Sequence, residues 1–135
     1  MSQVIAHKDN LYNTKKFIEE VMKNSQYLDG VFLDVTLTKD SKVLIFSPVS
    51  SNREDLDTIQ NNNLVEIDFL DIFLLKEALD IFASQNFKII LNLLPLNEIV
   101  AASSYHTLVK DYEHYLEVVI DLLKKYQHLN IFISS

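Results

Sequence analysis

The spacing of apolar residues along the chain alternates between short continuous runs and a helical repeat. Runs rich in Val, Ile, Leu and Phe predict strands at residues 3–6, 31–38, 42–46, 88–95 and 130–135. Apolar residues three and four positions apart predict helices between them, at 14–23, 74–85 and 104–126. The resulting order, β-α-β-β-α-β-α-β, is typical of an α/β fold with a parallel sheet and one hairpin.

The strand runs also predict how the sheet is arranged. The runs at 31–38 and 42–46 are separated by a short turn that contains Asp40 and Ser41, which favours an antiparallel hairpin. The run at 88–95 is apolar almost throughout and is closed by a proline. Such a run is expected for a strand that is covered on both faces, as in a parallel sheet between helices.

Charge and cysteine content narrow the class of protein. The chain of 135 residues has a formal charge of −7 and an isoelectric point near 4.9. This charge repels a phosphate backbone, so no nucleic-acid partner is expected. The absence of cysteine excludes disulfides and thiolate metal sites. The single glycine, Gly30, excludes glycine-rich phosphate loops.

The sequence predicts neither a targeting segment nor a membrane segment. The first residues lack the basic and apolar regions of a secretory signal. No apolar run approaches the roughly 18 residues that a membrane span requires. A soluble, cytoplasmic protein with no membrane span is therefore predicted.

Six short motifs follow one another in a recognisable order. They are AHKDNLYNT, FLDVTLTKDSKVLIFSP, NR, LLKEALDIF, IILNLLP and IFISS. Together they resemble the N-terminal half of the glycerophosphodiester phosphodiesterase family, most specifically at 34–35 and 38–40. The resemblance implies a parallel-stranded, partial TIM-barrel fold, with residues 1–135 as a single truncated domain of that type. A complete (βα)8 barrel takes about 250 residues.

Some positions match the active site of that family. The resemblance implies that His7 corresponds to a catalytic histidine and Asp34 to a metal-binding carboxylate. Lys8 stands where the family has an arginine that binds phosphate, and Arg53 keeps its place in a later loop. Lys8 and Arg53 are therefore candidates for binding a phosphate group.

Other positions depart from the family pattern. Phe32 replaces a metal-binding glutamate, Asn92 replaces another, and Ser47 replaces the second catalytic histidine. Hydrolysis by this chemistry needs Ca²⁺ or Mg²⁺ held by several carboxylates, and two imidazoles for proton transfer. One carboxylate of three and one histidine of two remain by this comparison. Loss of the hydrolytic site is therefore predicted, and no cofactor is expected.

The leading hypothesis is a non-catalytic relative, or pseudoenzyme, that acts by binding or assembly, with a role in lipid metabolism implied by the resemblance. A small phosphate-bearing ligand would lie at the C-terminal ends of the strands, near Lys8, Arg53, Ser47 and Asn92. A half-barrel has unpaired strands at both sheet edges, and such edges favour pairing with another chain. A homodimer that completes the barrel is therefore expected.

Two alternatives stay open at this point. One is a residual phosphodiesterase completed across a dimer, with His7 as the base and Asp34 holding Ca²⁺ or Mg²⁺. The other is a half-barrel subunit that needs a different partner chain. Purely structural roles are also open, since His7 can be a hydrogen-bonded strand-end residue and Asp34 can pair with Lys8.

Overall fold

The computed structural model describes residues 3–7, 14–45, 58–67, 73–94 and 105–134, with side chains of the last stretch described from residue 112. Its strands are β1 (Ile5–His7), β2 (Gly30–Leu37), β3 (Val43–Ile45), β4 (Phe73–Leu74), β5 (Lys88–Leu93) and β6 (Ile131–Ser134). Its helices are α1 (Thr14–Lys23), α2 (Leu75–Phe82) and α3 (Tyr105–Leu123), with short 3-10 turns at Ser25–Tyr27, Leu64–Ile67 and Lys124–Tyr126.

These strands form one mixed sheet. The order is β4-β3-β2-β5-β6, and β1 pairs with β2 beside β3. The strands β1, β2, β5 and β6 are parallel, whereas β3 and β4 pair antiparallel. The predicted α/β class and the hairpin of β2 and β3 are confirmed. The sheet is less parallel than predicted, because the unpredicted β4 adds a second antiparallel pairing beyond the hairpin, and the described strands form an open sheet that is not closed into a barrel.

The main core lies on one face of this sheet. Each helix turns a stripe of apolar residues toward it, because positions three and four apart share a helix face. The central strand alternates accordingly, with Val31, Leu33 and Val35 fully buried against the helices. The helical residues buried in this core are Phe17, Ile18, Val21, Leu75, Ala78, Leu79, Phe82, Tyr115 and Val119.

The opposite face of the sheet is only partly covered. In β5, Ile89 and Leu91 are buried in the core, but Ile90 and Asn92 on the other face are half-buried. The predicted burial of this strand is complete on the core face and partial on the opposite face. Its apolar sequence indicates a barrel-type interior, and in the described part of the chain that face is half-buried.

A second, smaller apolar cluster covers one end of that open face. Leu44, Ile59, Ile67 and Leu94 are buried together there. The segment that carries Ile59 is fixed by Gln60, whose side-chain amide donates to Thr36 Oγ1 at 3.0 Å. On the open face, apolar side chains therefore cover the C-terminal end of β2 but not its middle.

The only glycine in the sequence lies where three strands converge. A Cβ at Gly30 would lie 2.9 Å from the Lys88 carbonyl oxygen and 3.0 Å from the Ile5 side chain. Because the first of these atoms belongs to the backbone of β5, the clash cannot be relieved by a rotamer change. Gly30 thus permits β1 and β5 to approach β2 at its first residue.

We expect Gly30→Ala to lower the free energy of unfolding by about 1–3 kcal/mol, as overpacking of a buried site does. Urea denaturation followed by circular dichroism measures this. The control is Gln26→Ala, an exposed position on the preceding turn, where a change within about 0.5 kcal/mol is expected. Equal stability of Gly30→Ala and the unmodified protein would contradict the proposed close approach.

Candidate functional site

Three polar side chains lie side by side on the open face of the sheet. The strand register places Asp34 of β2 opposite Asn92 of β5, and Asn92 opposite Ser134 of β6. Residues paired in a parallel sheet point to the same face, so these side chains form one row near the C-terminal strand ends. The Asn92 amide donates a hydrogen bond of 2.7 Å to Asp34 Oδ1.

An aromatic stack adjoins this row. The His7 ring stacks on Phe32, with ring centroids 4.9 Å apart and an angle of 23° between the planes. The two residues are paired between β1 and β2, and Phe32 lies two residues before Asp34. The Asp34 carboxylate therefore has the Phe32 ring as its neighbour on the N-terminal side of β2. On the C-terminal side, beyond Thr36, lie the buried apolar side chains of Leu44 and Leu94.

These surroundings raise the pKa of Asp34 above its ordinary value. Desolvation by partial burial is the largest cause, because it disfavours the charged form. The hydrogen bond from Asn92 and the charge of His7 act in the opposite direction and lower the pKa. The site therefore favours an uncharged Asp34 more than water does.

The described residues do not fit a divalent cation. Among them, no group of three or more His, Cys, Asp and Glu side chains is close enough to hold a metal ion. Asp34 contributes one carboxylate, and Asn92 already donates to one of its oxygens. Ca²⁺ takes six to eight oxygen ligands, and Mg²⁺ requires an octahedron of oxygens. The His7–Phe32 stack adds no oxygen to this set.

The structure brings together three of the residues that the sequence singles out. His7, Asp34 and Asn92 share the open face and lie on adjacent strands. Lys8, Ser47 and Arg53 lie outside the described residues, so the predicted phosphate contacts remain predictions. Asp34 accepts a hydrogen bond from Asn92, which was not predicted from the sequence.

One member of the row was missed from the sequence. Ser134 lies opposite Asn92, and its neighbour two residues earlier, Phe132, is on the same face. The alternation of the terminal run IFIS could have indicated this, because Ile131 turns toward the core. Lys88 also belongs to this face, and its amine lies 6.0 Å from the centre of the Phe132 ring.

Comparisons with solved structures define the class of fold. The chain is similar to an Oleispira antarctica phosphodiesterase, solved in complex with the product sn-glycerol-3-phosphate, at 21% identity and a TM-score of 0.67. It is also similar to a candidate glycerophosphodiester phosphodiesterase from Galdieria sulphuraria, at 18% identity and a TM-score of 0.54. A third match, at 15% identity and a TM-score of 0.51, is a glycerophosphodiester phosphodiesterase from Agrobacterium tumefaciens strain C58.

These matches cover 100%, 98% and 93% of this chain, but only 57%, 64% and 64% of the three solved chains. The chain thus has the fold of part of a glycerophosphodiester phosphodiesterase, and the resemblance is confirmed at the level of fold. No protein-family model matches the sequence, and no curated protein is significantly similar to it. Within the described residues, no helix has both the length and the apolar character that a bilayer crossing demands.

The raised pKa of Asp34 leads to a prediction about stability. A carboxyl group whose pKa is higher in the folded state stabilises the fold at low pH, and this stabilisation is lost as pH rises through the folded pKa. We therefore expect Asp34→Asn to melt at a higher temperature than the unmodified protein at pH 7. The difference should shrink as pH falls below the ordinary carboxyl pKa of 3.8.

Asp40 is the matched control because its pKa is shifted the other way. A hydrogen bond from Thr38 is the largest cause of its lowered pKa. Asp40→Asn should therefore lower the melting temperature at pH 7, and its effect should fade toward low pH. Thermal melts of both variants at pH 7 and pH 3.5 give the comparison. A lower melting temperature for Asp34→Asn at pH 7 would contradict the assigned desolvation.

Proposed function

We propose that this protein is a non-catalytic relative of the glycerophosphodiester phosphodiesterases that acts by binding and assembly. The observation that carries the proposal is the pairing of Asp34 with Asn92 beside the His7–Phe32 stack. An amide and an aromatic ring adjoin the carboxylate at positions where the resemblance implies glutamates. This donor set is better suited to hydrogen bonding a ligand than to holding a cation.

The chemistry of phosphodiester hydrolysis supports this choice. The leaving oxygen must be protonated, and the attacking group must lose a proton, so two positioned proton-transfer groups are needed. His7 is one such group, and its ring stacks on Phe32. The second imidazole of the family pattern corresponds to Ser47, whose hydroxyl has no pKa near neutrality and so cannot replace it.

The proposed ligand is a small phosphate-bearing molecule such as a glycerophosphate. The solved Oleispira antarctica phosphodiesterase holds sn-glycerol-3-phosphate, and its fold covers the whole of this chain. In this chain, Lys8 and Arg53 would bind the phosphate through charge-assisted hydrogen bonds. The row of Asn92 and Ser134 would offer amide and hydroxyl groups to the glycerol part.

Assembly is the second part of the proposal. Among the described strands, β6 ends the path of the sheet on one side, and β1 pairs only with β2 on the other. Unpaired strand edges present rows of backbone donors and acceptors. β1 and β6 run parallel within the same sheet. In a twofold-symmetric dimer, β6 of each copy could therefore pair with β1 of the other copy, which gives two equivalent strand pairings. We propose such a homodimer of half-barrels.

The ligand prediction is tested by isothermal titration with sn-glycerol-3-phosphate, in the presence and absence of Ca²⁺ or Mg²⁺. We expect binding that is unchanged by either metal and is weakened at least tenfold in Lys8→Ala and Arg53→Ala, as loss of a charged phosphate contact predicts. Lys125→Ala, at an exposed position on another element, is the control. No turnover of glycerophosphodiesters is expected in parallel assays.

Two outcomes would overturn this assignment. Metal-dependent hydrolysis that disappears in His7→Ala and Asp34→Ala would support the residual phosphodiesterase instead. Absence of any heat with sn-glycerol-3-phosphate would remove the proposed ligand.

The homodimer is tested by sedimentation at micromolar concentration. We expect a dimer that Phe132→Lys converts to a monomer, because a charge that points inward on an edge strand opposes pairing of sheets. Val65→Lys adds the same charge at an exposed apolar residue away from β6 and should leave the dimer intact. A strict monomer for the unmodified protein would rule out the assembly.

A further inference from the structure

An apolar stripe remains exposed along the helix α3. Tyr112, Leu116 and Ile120 are spaced four residues apart and are 38%, 42% and 48% exposed. The sequence pattern predicts one broad apolar face that includes Tyr112 and Leu116. In this part of the helix Tyr115 and Val119 are buried in the core and Val118 packs against it, whereas Tyr112 and Leu116 are exposed. The helix is thus more apolar than its packing in this chain requires.

The stripe faces the β6 side of the sheet. His114 points to the opposite flank of α3, where its Nε2 atom lies 2.9 Å from Ser41 Oγ in the hairpin of β2 and β3. At 3.6 residues per turn, Leu116 lies about 160° and Ile120 about 120° around the helix from His114. Since the sheet runs from β3 through β2 and β5 to β6, the flank opposite the hairpin faces β6.

The edge strand extends this apolar surface. Ile133 is 45% exposed and lies on the same face of β6 as Ile131, which packs against the core beneath α3. Leu116, Ile120 and Ile133 are therefore exposed apolar residues on the helical side of the sheet, toward its last strand. Contiguous apolar side chains of this kind are characteristic of interaction surfaces.

Acidic residues border the stripe on its solvent side. Glu113, Glu117 and Asp121 are exposed and follow the apolar residues by one position each, so they form a parallel line. Asp121 also forms an ion pair of 3.1 Å with Lys124. The whole chain, with a net charge of −7, adds to this negative potential.

We propose that this exposed apolar surface is a docking site for a basic amphipathic helix of a partner protein. Its apolar face would pack on Leu116, Ile120 and Ile133, and Lys or Arg residues beside that face would pair with Glu113 and Glu117. A second copy of α3 packed antiparallel would place the two lines of carboxylates on the same side, where they repel. Charge complementarity therefore favours a basic partner over self-association through this stripe.

Binding of designed helical peptides tests the proposal. The probe is a fluorescein-labelled peptide of 18 residues with Leu at positions i, i+4, i+7 and i+11 and Lys on the flanking positions. One comparison peptide has Glu in place of Lys, and another has the same composition in scrambled order. We expect the basic amphipathic peptide to bind at least tenfold more tightly than either.

Variants locate the contact on the protein. Leu116→Ser with Ile120→Ser should weaken binding about tenfold or more, whereas Val65→Ser with Ile81→Ser, two other exposed apolar residues, should not. Glu113→Gln, Glu117→Gln and Asp121→Asn together should weaken binding about threefold or more at low salt. The matched control is Glu19→Gln, Glu20→Gln and Glu77→Gln, which removes the same charge from other helices.

Three results would overturn the proposal. Equal effects of the two charge triplets would mean that the peptide responds to net charge alone. Equal binding of the scrambled peptide would exclude recognition of an amphipathic helix. Dissociation of a homodimer by Leu116→Ser with Ile120→Ser would identify a second copy of this chain as the occupant. Circular dichroism melts confirm that each variant is folded before binding is compared.

Discussion

The parallel pairing of β2 with β5 determines the rest of this structure. It joins six residue pairs, from Gly30 with Lys88 to Val35 with Leu93. A slip of one residue would move every side chain to the other face, so the burial of Val31 and Leu33 fixes the register. The same register places Asp34 beside Asn92. The core on one face and the polar row on the other are thus two consequences of one strand pairing.

The open face differs from the core face in carrying half-buried polar side chains. Asp34 is partly desolvated with one amide as its partner, an arrangement that raises its pKa and opposes its charged form. Perturbed carboxyl groups of this kind concentrate at functional sites, although structural sites also contain them. An apolar residue at this position would avoid the desolvation. The hydrogen-bonding groups of this row are what the proposed ligand would use.

The local elements of the fold could be predicted from the sequence, but the contacts between distant elements could not. The hairpin of β2 and β3 and the helix α1 were predictable, because period two and period 3.6 are properties of neighbouring residues. The strand β4, at Phe73–Leu74, was missed because two residues have no period and become a strand only by pairing with β3. The apolar run at β5 indicated burial on both faces, but coverage depends on what else packs on the sheet.

Some residues of the candidate site could also be selected from the sequence, whereas their contacts could not. His7 and Asp34 could be selected from motifs, but the hydrogen bond from Asn92 depends on a register across 58 positions of sequence. Ser134 was missed although it lies in the motif IFISS, because the sequence alone does not show that it pairs with Asn92. The exposure of Leu116 was likewise hidden, since an apolar helix position looks the same whether the protein core or a partner covers it.

The β6 side of the molecule presents two kinds of interaction surface, one for backbone hydrogen bonding and one for burial of apolar side chains. The edge of β6 offers backbone donors and acceptors in the plane of the sheet, whereas Leu116 and Ile120 offer apolar area in the helical layer outside it. Pairing of β6 with another strand would satisfy these backbone groups but leave Leu116 and Ile120 exposed to water. Closure of a half-barrel dimer would therefore not by itself cover the apolar stripe. Conversely, a helix seated on the stripe covers no backbone group of the edge. The two surfaces can therefore be occupied at the same time, provided that the docked helix fits beside the second copy.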